Sequence, residues 1–197
     1  MKVVLASANA GKLRELAALA EPLGWELVVQ QALRIASAPE TGATFTDNAL
    51  IKARHAARAS GMAALADDSG IEVDALGGRP GVHSARYAGE HPTDRQNLEK
   101  LLAELRDVPP ERRTARYRCV IAYVRGANDP APILGQGSWE GRIGTAPRGA
   151  GGFGYDPIFL PRDSAGRTAA ELGREEKDAM SHRAQALAAL RERLCGG

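Results

Sequence analysis

Two adjacent acids, Asp67 and Asp68, are the side chains of this sequence most directly suited to chemistry. They follow an apolar run, Ala63 to Ala66, that predicts a buried strand. Acids at the carboxyl end of a strand lie where α/β proteins place ligands, and carboxylates bridge Mg²⁺ to phosphate oxygens. If the strand continued, only one acid could face a ligand, because side chains alternate along a strand. The alternative is a simple turn, because Asp-Asp-Ser-Gly favours turns anywhere.

A second candidate is the small-residue segment Ser7-Ala8-Asn9-Ala10-Gly11-Lys12, which follows a predicted strand from Val3 to Ala6. A strand, a short loop and a helix start form an anion site, because backbone N–H groups and the helix dipole point at the ligand. The segment is not a Walker A motif, since the required glycine pattern and Lys-Ser/Thr pair are absent. An ordinary strand-to-helix turn is the alternative.

Lysine is scarce, because only five of the 26 basic residues are lysines, and three of these, Lys12, Lys52 and Lys177, lie beside candidate motifs. Codon bias could explain the excess of arginine, but it does not explain these positions. A lysine is a compact point charge suited to phosphate. Lys52 lies four residues after Asn48, at the edge of the apolar stripe of a helix that Thr44 would cap. We therefore expect both side chains to point toward protein or a cleft margin.

Two further segments could recognise a base. The glycine-rich loop 149–154 leads into Phe153 and Tyr155, whose rings could stack on a base, although core packing is the alternative. Near the C-terminus, Lys177 precedes Ser181-His182-Arg183, where Ser181 could cap the final helix and present the next two residues in its first turn. A solvated helix end is the alternative there.

The elements that would position these residues alternate as in an α/β protein. A strand, loop, helix and strand open the chain, with the second strand over Trp25 to Val29. We predict further helices from Asp94 to Leu105 and from Thr168, whose Thr-x-x-Glu pattern fits a capping box. Later elements include paired strands at 115–124 and 133–143 and a C-terminal helix with one apolar side. That side carries Met180, Ala184, Leu187, Leu190 and Leu194.

Composition limits the possible functions. The 197 residues carry a net charge of +2, which argues against a broad basic face for polymeric nucleic acid. The length suits a single domain spanning residues 1–197. The two cysteines, Cys119 and Cys195, fit free thiols in a reducing compartment. Without a signal peptide pattern or a membrane-length apolar run, we expect a cytoplasmic protein with no membrane partner.

Six ordered segments resemble the inosine triphosphate pyrophosphatase family, and the similarity runs from Val3 to about Leu190. The matching segments are Ser7-x-Asn9-x-x-Lys12, Glu40-Thr41-Gly42 with Phe45, Asn48 and Lys52, Ala66-Asp67-Asp68-Ser69-Gly70, Pro80-Gly81-x-x-Ser84-Ala85-Arg86-Tyr87, Gly152-Phe153-Gly154-Tyr155-Asp156-Pro157, and Ser181-His182-Arg183. The resemblance implies hydrolysis of dITP, ITP and XTP to the monophosphate and pyrophosphate, which cleanses the nucleotide pool.

The resemblance also implies a fold and a set of site residues. The fold would be an elongated mixed β-sheet flanked by helices, with two lobes, a central cleft and a homodimeric assembly. Ser7 through Lys12, with Lys52, would bind the triphosphate. Glu40 and Asp68 would hold Mg²⁺, and Asp68 would also serve catalysis. The remaining substrate contacts would be Ser69, Phe153, Gly154, Tyr155, Asp156, Lys177, His182 and Arg183.

Three rival functions remain open from sequence. The first is a general pyrophosphatase acting on ordinary or modified pyrimidine triphosphates. The second is a nucleotide sensor without turnover, although a pure binder would not need both Glu40 and Asp68. The third is an RNA-binding protein, which the near-neutral charge and the aromatic content of 5% disfavour.

Overall fold

The computed structural model describes residues 1–7, 20 and 23–196, which form a mixed six-stranded sheet flanked by helices. The strands are β1 (Lys2–Leu5), β2 (Glu26–Val29), β3 (Ala63–Val73), β4 (Thr114–Val124), β5 (Ile133–Ile143) and β6 (Phe159–Pro161). The helices include α1 (Phe45–Ser60), α2 (Asp94–Glu104), α3 (Arg174–Met180) and α4 (His182–Cys195). The predicted α/β class is confirmed. Residues 8–12 of the predicted anion loop, and most of the helix expected after them, lie outside the described residues.

The sheet has the strand order β2-β1-β3-β4-β5-β6. β1 pairs in parallel with both β2 and β3, whereas β5 and β6 are antiparallel, so the sheet is mixed. Val3, Val4 and Leu5 of β1 are almost fully buried, as expected for a parallel strand with neighbours on both edges. None of the described helices is both long and apolar enough to cross a membrane.

The chain divides into two compact units. The first contains Met1–Asp68, Cys119–Gly137 and Arg183–Gly197, and the second contains Ser69–Arg118 and Ser138–His182. The core of the first unit is mainly aliphatic and includes Val3, Leu5, Leu65, Ile121 and Leu190. The core of the second unit is richer in aromatic rings, and its buried members include Tyr87, Tyr117, Trp139, Tyr155 and Phe159.

Helix α1 begins where the sequence predicts. Thr44 and Asp47 form a capping box, in which the Asp47 N–H donates to Thr44 Oγ1 and the Thr44 N–H donates to the Asp47 carboxylate. The predicted apolar stripe is buried, and it comprises Phe45, Ala49, Ala53 and Ala56. Arg54 of this helix is half-buried and donates to the Asp129 carbonyl at 3.4 Å.

Strand β3 corrects the prediction for the acid pair. The sequence predicts a strand that ends at Ala66, but β3 runs on through Asp67, Asp68 and Ser69 to Val73. The continuation buries Ile71 and Val73 completely, and this apolar burial outweighs the turn preference of Asp-Asp-Ser-Gly. The two acids therefore lie within a strand and point to opposite faces of it.

The C-terminal region contains two further corrections. Thr168 and Glu171 form a turn instead of a helix start, because Thr168 Oγ1 donates to the Arg148 carbonyl and only the Glu171 half of the capping box is made. The predicted final helix is also divided. Ser181 has an extended backbone with ψ of 154°, so Met180 belongs to α3 while the other predicted apolar residues belong to α4.

A hydrogen-bonded ion pair links the end of β3 to the start of β4. Arg116 donates two hydrogen bonds to Asp74, at 2.8 and 2.9 Å, and Thr114 Oγ1 donates a third at 2.7 Å. Hydrogen bonds from Arg116 and Thr114 lower the pKa of Asp74 below its ordinary value of 3.8. The ionised form of Asp74 is therefore favoured by folding.

The ion pair between Asp74 and Arg116 predicts that the wild type and Asp74→Asn differ in stability in a pH-dependent way. Because the side chain of Asp74 is 44% exposed, solvent screening limits the cost of Asp74→Asn to about 0.5–1 kcal/mol at pH 7. A carboxyl with a depressed folded-state pKa stabilises above its unfolded pKa, and that stabilisation is lost as pH falls through the folded-state value. Urea unfolding of the wild type and Asp74→Asn should therefore show a difference in the free energy of unfolding at pH 7. That difference should disappear as the pH falls below about 3.8. A difference that is constant with pH would contradict this explanation.

Candidate active site

A cluster of charged side chains in the first unit joins three separate segments. Lys52 on α1 places its Nζ atom 2.8 Å from Glu40 Oε1 and 2.8 Å from Asp68 Oδ1. Glu40 lies in the loop before α1, and Asp68 lies on β3. The structure thus brings together both carboxylates and the lysine that the sequence proposes for metal and triphosphate.

Asn48 holds the Asp68 carboxylate from the other side. It is completely buried, and its Nδ2 atom donates to Asp68 Oδ2 at 3.2 Å. Its Oδ1 atom accepts from the Gly42 N–H at 2.8 Å, and a Cβ added to Gly42 would lie 2.8 Å from that oxygen. Glycine is therefore required for the loop to approach Asn48 this closely. The prediction that Asn48 and Lys52 point toward protein or a cleft margin is confirmed. The hydrogen bond by which Asn48 holds Asp68 was not predicted.

Burial and charge shift the pKa values of Asp68 and Lys52. Burial raises the pKa of Asp68 above 3.8, and this effect exceeds the opposing attraction of Lys52. Burial would lower the pKa of Lys52, but the negative charges of Asp68 and Asp67 outweigh it and the pKa is raised. Lys52 therefore remains a cation near neutral pH, while Asp68 is a stronger base than an exposed aspartate.

The chemistry of the cluster suits a hard cation. Two carboxylates already share one positive charge, the Lys52 ammonium, and carboxylate oxygens are the ligands that Mg²⁺ prefers. Over the described ranges, no group of three or more His, Cys, Asp or Glu side chains could form an all-protein cage. Mg²⁺ commonly binds through one or two carboxylates with substrate phosphates and water completing its shell, so Glu40 and Asp68 fit that mode.

Ser7 and Ser69 flank this cluster in sequence. Ser7 is 8% exposed and follows β1, where the Ala6 N–H donates to the Leu65 carbonyl at 2.8 Å. Ser69 is half-buried on β3, directly after Asp68. Ala8, Asn9, Ala10, Gly11 and Lys12, which the sequence assigns to the phosphate-binding segment, lie outside the described residues.

A second cluster, in the second unit, is centred on Asp156. Lys177 Nζ contacts Asp156 Oδ2 at 2.5 Å, and the Phe153 N–H donates to the same oxygen at 2.8 Å. Tyr117 donates its hydroxyl to Asp156 Oδ1 at 3.2 Å. Gly152 has φ of +74°, and a Cβ there would collide with the Asp156 carboxylate. The sequence proposes Asp156 and Lys177 as site residues, but nothing in it shows that they form an ion pair.

The two aromatic residues of the glycine-rich loop have different environments. Phe153 is 48% exposed and has Lys177 Nζ 5.1 Å from its ring centroid, a cation–π contact. Tyr155 is 4% exposed, packs in the core and donates its hydroxyl to the Ser84 carbonyl at 2.8 Å. Core packing is thus the observed environment of Tyr155. Gly154 is held by its N–H, which donates to Asp94 at 2.7 Å.

His182 and Arg183 open helix α4 as predicted, but they are buried. Their exposed fractions are 6% and 4%, so the alternative of a solvated helix end is wrong. The His182 ring, in the second unit, stacks on Tyr117 with 4.8 Å between centroids and 10° between planes. Arg183 belongs to the first unit. Burial makes both residues better candidates for a site than a solvated end would.

Comparisons with known proteins find similarity over nearly the whole chain. A family model described as the Ham1 family matches residues 3–193. The dITP/XTP pyrophosphatases of Shigella flexneri and Escherichia coli (strain K12) are 58% and 56% identical to this chain over 196 residues, covering all of it and 99% of each relative. Among solved structures, a HAM1 protein from Coxiella burnetii has a TM-score of 0.94 at 47% identity, with both chains fully covered. The dITP/XTP pyrophosphatase from Mycobacterium abscessus has a TM-score of 0.81 at 50% identity, covering 96% of this chain and 98% of that one.

Proposed function

The chain belongs to the Ham1 family, and from this premise we propose that it hydrolyses dITP, ITP and XTP to the monophosphate and pyrophosphate. The names of relatives that match over the full chain support this substrate class. The observation that carries the proposal is the pair of carboxylates, Glu40 and Asp68, that share the Lys52 ammonium. Removal of deaminated purine triphosphates would keep them out of DNA and RNA.

Mg²⁺ is the cation we propose for this site. Glu40 and Asp68 would hold it through carboxylate oxygens. When bound, Mg²⁺ supplies charge neutralisation at the phosphate oxygens. A test of this requirement is turnover in the presence of chelator, which should be lost and should return when Mg²⁺ is added.

Asp68 is the residue we propose to activate water. In the reaction, the water oxygen bonds to the α-phosphorus and the bond from that phosphorus to the bridging oxygen breaks, which releases pyrophosphate. The water proton passes to the Asp68 carboxylate, which acts as the general base. Asn48 holds Asp68 Oδ2 through its amide, so the carboxylate has a fixed orientation.

Lys52 is the residue we propose to stabilise the leaving pyrophosphate. Its ammonium keeps its charge because Asp68 and Asp67 raise its pKa. A fixed cation in a partly buried site stabilises developing negative charge more strongly than a cation in water does. Lys52 has three N–H donors, and its bonds to Glu40 and Asp68 leave one for a phosphate oxygen.

Base selection would depend on two cationic side chains, Lys177 of the second cluster and Arg183 at the start of α4. Lysine and arginine side chains only donate hydrogen bonds, so Lys177 and Arg183 favour a 6-oxo group over the 6-amino group of adenine. Lys177 uses one donor on Asp156, and its ammonium lies near the exposed Phe153 ring. A site whose buried donors would be left unpaired discriminates strongly against the wrong base. Guanine shares the 6-oxo group, so its rejection must depend on its 2-amino group.

A substrate panel tests this function. We expect kcat/KM for dITP, ITP and XTP to exceed that for dATP and dGTP by at least about 100-fold, because an unpaired buried polar group costs this much or more. Pyrimidine triphosphates in the same panel separate the proposal from a general pyrophosphatase. Comparable values for dGTP and dITP would refute the selectivity, and binding without pyrophosphate release would identify a sensor.

A further inference from the structure

Tyr117 lies at the centre of the second cluster, although no sequence motif includes it. It is a residue of β4, 8% exposed, and its ring packs edge-on against Phe159 with 4.7 Å between centroids. The ring of Trp139 on β5 stacks near the Tyr117 ring, with 6.5 Å between the two ring centroids. These contacts fix the plane of the Tyr117 ring and the direction of its hydroxyl group.

Tyr117 contacts two candidate base-contacting residues, Asp156 and His182. The Tyr117 hydroxyl donates to Asp156 Oδ1 at 3.2 Å, and the Tyr117 ring face stacks on His182 at 4.8 Å. Asp156 follows the glycine-rich loop, whereas His182 begins α4, so the two come from segments far apart in sequence. Through Asp156 Oδ2, the same network reaches Lys177 and the Phe153 backbone.

We propose that Tyr117 is a positioning residue for base recognition, which sets the Asp156 carboxylate with its hydroxyl and the His182 ring with its face. The inference rests on the proposed function, because it treats Asp156, Lys177 and His182 as the residues that contact the base. Tyr117 is buried and acts only through its contacts with Asp156 and His182.

The hydroxyl of Tyr117 is suited to this role. Burial, followed by the nearby charge of Asp156 and the hydrogen bond to it, raises the pKa of Tyr117 well above 10.0. The phenol therefore stays protonated and remains a donor throughout the range in which an enzyme works. Without it, Asp156 Oδ1 would lose a buried donor, and the carboxylate could rotate about its contacts with Lys177 and Phe153.

Tyr117→Phe separates the hydroxyl from the ring. The variant keeps the aromatic contacts with His182 and Phe159 but cannot donate to Asp156. We expect the ratio of kcat/KM for ITP to that for ATP to fall about tenfold, the usual effect of one lost hydrogen bond to a charged group. The loss should come mainly from a higher KM for ITP, with kcat nearly unchanged. Tyr117→Leu also removes the stacking surface and should lower the ratio further.

Tyr123→Phe is the matched control, because Tyr123 is a buried tyrosine of the same strand that stacks on Trp25 in the first unit. It should leave the ITP to ATP ratio unchanged. A purely structural role for Tyr117 would lower activity on both substrates equally and keep the ratio, which would overturn the inference. A wild-type enzyme that prefers ITP, with Tyr117→Phe keeping that preference, would also overturn it. Equal wild-type activity on ITP and ATP would instead overturn the proposed function, and the inference with it.

Discussion

Asp68→Asn is expected to lower kcat by about 100-fold or more, because the variant can neither accept the proton of the attacking water nor hold a metal with full charge. The side chain keeps nearly the same shape, and its amide oxygen can still accept from Lys52 or Asn48. The fold should therefore survive. Steady-state assay with dITP and Mg²⁺ measures the effect, and circular dichroism melting checks that the variant is folded.

Asp67→Asn is the comparison that makes this test specific. Asp67 has the same charge and is 2% exposed, but the alternation of side chains along β3 points it to the opposite face from Asp68. The negative charge of Asp67 raises the pKa of Lys52 less than the charge of Asp68 does. We expect a loss of less than about tenfold. Equal losses in both variants would mean that total charge matters and would remove the special role of Asp68.

Lys52→Met should lower kcat/KM by about 100-fold, similar to the loss of one preorganised donor at a developing oxyanion. Methionine has a similar length, so the substitution removes the charge and leaves most of the packing. It also leaves Glu40 and Asp68 without the ammonium between them, and their mutual repulsion adds to the loss. Steady-state kinetics with dITP, over a range of Mg²⁺ concentrations, measures the effect.

Arg58→Met provides the control on the same helix. Arg58 lies in the last turn of α1 and is exposed, so its replacement removes one positive charge without altering the cluster. Its kinetics should match those of the wild type within about twofold. If both variants lost activity equally, long-range attraction of the anionic substrate would be the cause, and Lys52 would have no local role.

Much of the fold follows from local signals in the sequence. Helix α1 could be predicted because its cap, apolar stripe and terminal glycine all agree. β5 is also found with the bounds expected. The extension of β3 could not be predicted, because Asp-Asp-Ser-Gly favours a turn locally and only the burial of Ile71 and Val73 overrides it.

The candidate site could be predicted as a set of residues but not as an arrangement. Residue types and family motifs indicate Glu40, Lys52 and Asp68, yet the bond between Asn48 and Asp68 joins residues 20 positions apart. Tyr117 belongs to none of the motifs in the sequence. Its role is visible only in the fold, because its contacts come from other segments of the chain. Such non-local contacts leave no periodic signal in a single sequence.

The structure of the complex with Mg²⁺ and a non-hydrolysable α,β-imido analogue of ITP tests the central claim most directly. The proposed function predicts a metal in contact with oxygens of both Glu40 and Asp68, within about 2.0–2.5 Å, and a phosphate oxygen on Lys52 Nζ. It also predicts the base beside Phe153 and Lys177. A bound triphosphate whose metal contacts neither Glu40 nor Asp68 would contradict the assignment of this cluster as the catalytic centre.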